Sequence, residues 1–308
     1  MAMTGVLRPG HAIVRVLDLE ESVRFYTDVM GLKETGRDKS GRVYFKCHDE
    51  RDHNSFIIRQ ADRAGIDCFA FKVLDKATLD LLDGKLREYG IKTERVPAGE
   101  MLETGERVRF ESPTGHIIEL YADKTDVGNG LGYLNPAPWL ADTRGINPVR
   151  MDHCLLYGPE IDAAHKLFKE VLGFSLVERA LLEDGVTDLG LWLTCSPKAH
   201  DIAMVRHNEP GKLHHVSFLL ETWEQVLRAA DILSMNKASI DIGPTRHGIT
   251  RGTTIYFFDP SGNRLEVFCG GYQWYPDMKP TVWTWDEIGT GIFYHNRKLN
   301  DAFLSVLT

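Results

Sequence analysis

The chain repeats itself, and this duplication constrains its fold more than any other feature. Residues 107–121 read RVRFESPTGHIIELY, and residues 254–268 read TIYFFDPSGNRLEVF. Aligned on Glu119 and Glu266, both carry a Phe, then Ser or Asp before Pro, then Thr or Ser, a Gly, and a Glu bounded by apolar residues. The offset is 147 residues. CFAFKV from Cys68 and HVSFLL from His215 share that offset. The segment starts also correspond. His11 precedes Tyr26 and VMGL as His153 precedes Phe168 and VLGF, at an offset of 142.

Each half reads as two strand–helix–strands units. The first opens with the strand HAIVRVL, then the amphipathic helix LEESVRFYTDVM ended by Gly31, then strands around RVYFKC and NSFIIRQ. The second opens with DCFAFKV, runs through the helix KATLDLLDGKLREYG, and closes with two strands flanking the turn SPTG. The second half repeats the pattern, with helices IDAAHKLFKEVLG and ETWEQVLRAADIL. The expected fold is α+β in two domains, each of paired βαβββ modules forming an open, barrel-like curved sheet. The expected divisions are 1–145, 146–283 and a helical tail over 284–308, with the Pro/Gly-rich stretch 128–149 as linker.

Composition narrows the class. A chain of 308 residues buries roughly 75% of its unfolded surface. It needs no structural metal, so a bound metal serves chemistry. A net charge of −8 gives no electrostatic footprint for nucleic acid or anionic membrane. No apolar run reaches the roughly 18 residues of a membrane span, and no secretory signal is visible. Five scattered cysteines without a CxxC read as free thiols in a reducing, cytoplasmic setting.

The repeats place three potential ligands at matched positions: His11, Cys68 and Glu119 in the first half, and His153, His215 and Glu266 in the second. Two imidazoles and one carboxylate suit a non-haem Fe(II) centre with open positions. A carboxylate inside the apolar run of Glu266 is costly unless paired or metal-bound. A salt bridge to Arg264 is the alternative. Strand alternation puts His215 on one face with Ser217, and His214 on the other with Val216 and Phe218. The more polar face favours His215. Cys68 stands where the second half has His215, so the first half reads as structural. His200, His247 and Tyr256 occur only in the half that keeps the full triad. Tyr256 corresponds to Arg109.

The segment TRHGITRGTTIYFFDPSGNRLE, from Thr245 to Glu266, resembles the signature of the type I extradiol ring-cleavage dioxygenases. Its matching residues are His247, Ile255, Tyr256, Asp259, Pro260, Gly262 and Glu266. RPGHAIVRVLD, FESPTGHIIELYADK, LHHVSF and IYFFDPSGNRLEVFCGG extend the resemblance over nearly the whole chain, toward the catechol 2,3-dioxygenase family of the vicinal oxygen chelate superfamily. The resemblance implies Fe(II) on His153, His215 and Glu266, which decides for His215 over His214. It implies catalytic roles for His200, His247 and Tyr256, and a homotetramer. It further implies extradiol cleavage of catechol, or of alkyl or halo catechols, by O2 to 2-hydroxymuconate semialdehyde or an analogue, within aromatic-compound degradation. His247 and Tyr256 would bind the substrate oxygens, and His200 would act as acid. Trp192, Ile249, Ile292 and Phe303 are candidate ring walls. No convergent basic pair marks a site for a carboxylated side chain, and Arg251 is a local departure that bears on substrate preference. The competing readings are a glyoxalase-like isomerase, which would use four protein ligands, and a non-catalytic binding protein, which would carry degenerate triads.

Overall fold

The computed structural model describes residues 4–308. The first half runs β1 (Val6–Val16), α1 (Leu19–Arg24, continued by a π-helical turn Phe25–Val29), β2 (Lys33–Arg37), β3 (Val43–Lys46) and β4 (Phe56–Gln60). It then repeats the pattern as β5 (Gly65–Val73), α2 (Lys76–Glu88), β6 (Thr93–Val96), β7 (Arg107–Glu111) and β8 (Ile117–Tyr121). The second half runs β9 (Arg150–Gly158), α3 (Ile161–Glu170), β10 (Ser175–Leu181), β11 (Asp188–Thr194) and β12 (Ile202–Arg206). Its second unit is β13 (Lys212–Leu219), α4 (Trp223–Met235), β14 (Ile240–Arg246), β15 (Gly252–Phe258) and β16 (Arg264–Gly270). Each half is thus a pair of βαβββ modules, as the duplication predicts.

The first-half helices start where side chains satisfy free backbone N–H groups. Asp18 caps α1 by accepting from Glu21 N, and Asp75 caps α2 by accepting from Thr78 N. In both sheets the opening strands of the two modules pair antiparallel at the centre. The orders are β2-β3-β4-β1-β5-β8-β7-β6 and β14-β15-β16-β13-β9-β12-β11-β10, with a short β17 (Thr281–Trp283) added beside β10. Strand alternation then sorts side chains. On β15 and β16, Ile255, Phe257, Leu265 and Val267 enter the main core, whereas Thr254, Tyr256, Glu266 and Phe268 take the concave face.

The main core is continuous through both halves, with Phe56 edge-on to Phe218 and Phe71 edge-on to Phe174. The duplicated turns join the halves. His116, after the first turn, contacts Lys212 O at 3.0 Å through Nε2, and Gly211 N donates to Thr114 O. Asn263, the counterpart of His116, takes a hydrogen bond from Gly65 N at 2.8 Å and gives one to Arg15 O. Tyr26 donates to Asp259 at 2.8 Å. Gly158 is required here, because a Cβ would lie 2.4 Å from Thr114 O.

The tail differs from the single helix expected over 284–308. It is a 3-10 turn followed by two five-residue helices, α5 (Ile288–Ile292) and α6 (Asp301–Ser305), folded over the second concave face. The two glycines in five residues of α5 weaken the helix and supply no side chains for an apolar face. No helix among the described residues is long and apolar enough to cross a membrane.

Candidate metal centre and ring pocket

Three strands bring His153, His215 and Glu266 together, all buried, with one ligand atom from each within 4.8 Å of the others. His153 Nε2 lies 3.1 Å from Glu266 Oε2, and His215 Nε2 lies 3.4 Å from the same oxygen. His215 Nε2 and Glu266 Oε2 have no hydrogen-bond partner.

The tautomers explain why. His153 Nδ1 is 3.1 Å from Asp152 Oδ2, so it carries a proton and donates there. His214 Nε2 donates to Phe303 O at 2.9 Å, so its Nδ1 accepts from His215 Nδ1 at 2.7 Å. Both ligand histidines therefore turn Nε2 toward one carboxylate oxygen. Such a convergence of lone pairs is repulsive until a cation sits among them, and a divalent metal fits this donor set.

Both Nδ1 partners occupy β-bulges. On β9, Met151 pairs with Phe218 and His153 with Ser217, leaving Asp152 as the extra residue. On β13, Leu213 pairs with Leu156 and His215 with Leu155, leaving His214 as the extra residue. A bulge re-aims a side chain. This corrects the alternation expected for His214. It does not share a face with Val216 and Phe218 but stacks on Tyr157 and meets Phe303 edge-on inside the barrel.

Burial pushes the Glu266 carboxyl up, but His153, His247 and His215 outweigh it and hold the group well below the usual carboxylate range. Burial holds His215 well below the usual imidazole range, in the neutral form that can ligate. His200 is likewise held low by burial and then by His153, whose ring centroid is 3.9 Å away. The alternative of a salt bridge from Arg264 to Glu266 is not realised. Arg264 turns instead to Asp241 at 2.8 Å and to Val306 O.

His247 and Tyr256 stand beside the cluster. His247 Nδ1 donates to Ile292 O, which leaves Nε2 to accept from the Tyr256 hydroxyl at 2.8 Å. Tyr256 faces Glu266 across the β15–β16 ladder, and burial first, then the Glu266 charge, raises its pKa well above the phenolic range. Thr254 donates to Glu266 Oε1. A small cavity touches His153, His200, His215, His247, Tyr256 and Glu266, and all four expected walls, Trp192, Ile249, Ile292 and Phe303, line it as well. Thr250 and Arg251 both adopt left-handed backbone, φ 60° and 59°. Glu178, buried, holds that turn through Thr250 N and also takes hydrogen bonds from Tyr272 and Trp283.

His11, Cys68 and Glu119 also converge in the first half. There, however, Arg107 and Arg109 lie 2.9 and 2.7 Å from Glu119, and Lys124 donates to His11 Nδ1 at 3.2 Å. Protein cations already satisfy that carboxylate.

Sequence reasoning passed over Asp152, Lys198, Asp201 and Glu178, and weighed His214 only as the alternative to His215. The one usable signal was the His-His pair preceding VSF.

Two family models match the chain. The Catechol 2,3-dioxygenase-like N-terminal domain matches residues 66–125, and the Glyoxalase/Bleomycin resistance protein/Dioxygenase superfamily matches residues 150–267. Fold and cluster together define an enzyme of this glyoxalase and dioxygenase class. The metapyrocatechase of Pseudomonas sp. (strain CF600) is 54% identical over 305 residues, covering 99% of both chains. The crystal structure of the 2,3-dioxygenase LapB from Pseudomonas sp. KL28 matches with a TM-score of 0.91 and 68% identity, over 92% of this chain and 99% of that one. A manganese-dependent 2,3-dihydroxybiphenyl 1,2-dioxygenase from Geobacillus genomosp. 3 is 29% identical, over 94% of both chains. The chain belongs to the metapyrocatechase, or catechol 2,3-dioxygenase, family of extradiol dioxygenases.

Proposed function

We propose that this enzyme cleaves the ring of catechol, or of a small alkyl or halo catechol, beside its two hydroxyl groups, using O2 and Fe(II). The observation that carries this reading is the convergence of His153 Nε2, His215 Nε2 and Glu266 Oε2, two of them without a hydrogen-bond partner. These three would hold the metal, which when bound supplies a Lewis-acid charge and open positions for the catechol oxygens and O2.

The other residues work on substrate. Tyr256 and His247 share one hydrogen bond and lie beside Glu266, where they can take up a proton from a catechol hydroxyl and hold the oxygen that loses it. His200 packs on His153 in the same cavity, neutral, and can give and take a proton on the oxygen side of the reaction. Trp192, Ile249, Ile292 and Phe303 confine the ring and exclude water. The cavity shares His200, Thr250 and Phe268 with a wider cleft of about 280 Å³, which would be the approach for substrate. Catechol and O2 combine without loss of atoms to give 2-hydroxymuconate semialdehyde, within aromatic-compound degradation. The absence of a basic pair among the cavity residues favours an uncharged ring substituent. Family resemblance supports a homotetramer, and the free buried thiols fit a cytoplasmic setting.

The test is oxygen uptake. Protein reconstituted anaerobically with Fe(II), then given catechol and air, should consume O2 and form a yellow product in equal amounts, and His215→Ala should abolish both. Turnover with Mn(II) but not Fe(II) would replace the metal. Failure with either metal on every catechol tried would overturn the reading.

A further inference from the structure

Behind the cluster lies a charge network, its two carboxylates buried and its cations partly so, that the ligand set does not require. The Lys198 ammonium lies 3.0 Å from Asp152 Oδ2, 2.9 Å from Asp201 Oδ1, and donates to Asp152 O at 2.8 Å. Its three protons have three acceptors. Each carboxylate stands behind a different histidine. Asp152 accepts from His153 Nδ1. Asp201 follows His200 and gathers the loop that presents it, accepting from Cys195 N, Ser196 N and the hydroxyls of Thr194 and Ser196. Arg150 completes the set at 3.0 Å from Asp152 Oδ1. Asp152 and Asp201 are 2% and 0% exposed. Without a cation between them, two buried carboxylates would repel, and the strand and the loop would separate.

The repeat shows that this arrangement is not inherited scaffold. By strand register, Arg8 stands for Arg150, Gly10 for Asp152, Asp52 for Lys198, Asn54 for His200 and Ser55 for Asp201. The first half keeps the arginine but has no carboxylate behind His11. A Cβ on Gly10 would fall within 2.5 Å of Tyr121. Only the half with the open triad carries the lysine and its two carboxylates.

We propose that Lys198 is a positioning residue that locks His200 to the ligand strand, so that the metal ligand His153 and the acid–base His200 keep one fixed relation. This rests on the function proposed above. The lysine touches neither substrate nor metal. It acts through Asp152 on the bearing of His153, and through Asp201 on the loop of His200.

The experiment uses the full-length Fe(II) enzyme and Lys198→Met. Three quantities are read: thermal melting, the rate at which a ferrous chelator strips iron from the resting enzyme, and the separate KM values for catechol and O2. Melting within a few degrees of wild type, iron release at least tenfold faster, kcat/KM for O2 down about 100-fold and KM for catechol within threefold are the expected results. Lys198→Arg, which keeps the charge, should recover at least tenfold of the O2 term. If Lys198→Met does not fold, Asp201→Asn carries the test. It breaks the ion pair that holds the lysine to Asp201 within the His200 loop and leaves its contacts to Asp152, so the O2 term should fall while iron release stays within twofold. Wild-type iron release and O2 dependence in a folded Lys198→Met enzyme would overturn the proposal. So would a proportionate loss in both substrate terms. A wild-type enzyme that consumes no O2 would defeat the functional reading, while the iron-release arm would still judge the lysine.

Discussion

In the first half, Glu119 faces Arg109 across a β-ladder; in the second, Glu266 faces Tyr256 at the same register. Arg107 becomes Thr254, Asn54 becomes His200, and Lys124 has Gly271 as its counterpart. The bulges persist, with Gly10 and Asp67 as the extra residues where the second half has Asp152 and His214. The backbones are alike and the triads differ only in Cys68 against His215, yet one carboxylate is surrounded by guanidinium groups and the other by neutral donors. What separates the first half from the half proposed for catalysis is thus the source of the positive charge. The first supplies it from side chains, and the second leaves it to be supplied by a metal.

The sharpest way to break this comparison is Tyr256→Arg, which gives Glu266 the partner of Glu119. Metal per chain should fall to near zero and turnover by more than about 1000-fold, or about 4 kcal/mol of transition-state stabilisation. Metal analysis and oxygen uptake read both. Glu119→Gln probes the other side. It strips the carboxylate from fully buried Arg107, and should cost about 3–5 kcal/mol in denaturant unfolding while iron content holds.

A third prediction concerns the clasp between halves. Burial lowers His116 to about 4, so the folded protein keeps it neutral where the unfolded chain, at about 6.5, takes up a proton. The unfolded state then binds more protons between those values, and stability should drop by about 3 kcal/mol as pH falls from 6.5 to 4. His116→Asn, which copies Asn263, should flatten that part of the profile. The smallest effect is expected from Tyr26→Phe. It removes the hydrogen bond to Asp259 and should cost about 1–2 kcal/mol in unfolding, with kcat unchanged.

Much of this was legible because duplication is a strong constraint. Two copies of one pattern reveal the module boundaries, and the residues that differ between copies point to chemistry. Tyr256 against Arg109 and His215 against Cys68 both stood out in this way. The bulges were not legible. A single extra residue breaks the alternation from which facing is read, so His214 was placed on the wrong side. Nor did the Lys198 network show, because SPKAHD has the composition of an exposed loop. Asp201 is buried, and Lys198 largely covered, only because strands distant in sequence close over them. The tail was expected as one helix, since composition does not reveal that Gly289 packs tightly against the backbone of Arg297, and Gly291 against the side chains of Ile249 and Trp283.

The reciprocal grip of the two turns has a consequence of its own. Each half holds the other by the same residue positions, as the subunits of a two-fold dimer do. A pair of identical subunits must share every substitution, so a set of arginines that fills one site would fill both. Joined through a linker, the copies are free to diverge. The contact that would demand sameness between identical subunits thus lets one half serve as a foundation held by its own side-chain cations, while the other keeps its carboxylate open to a metal.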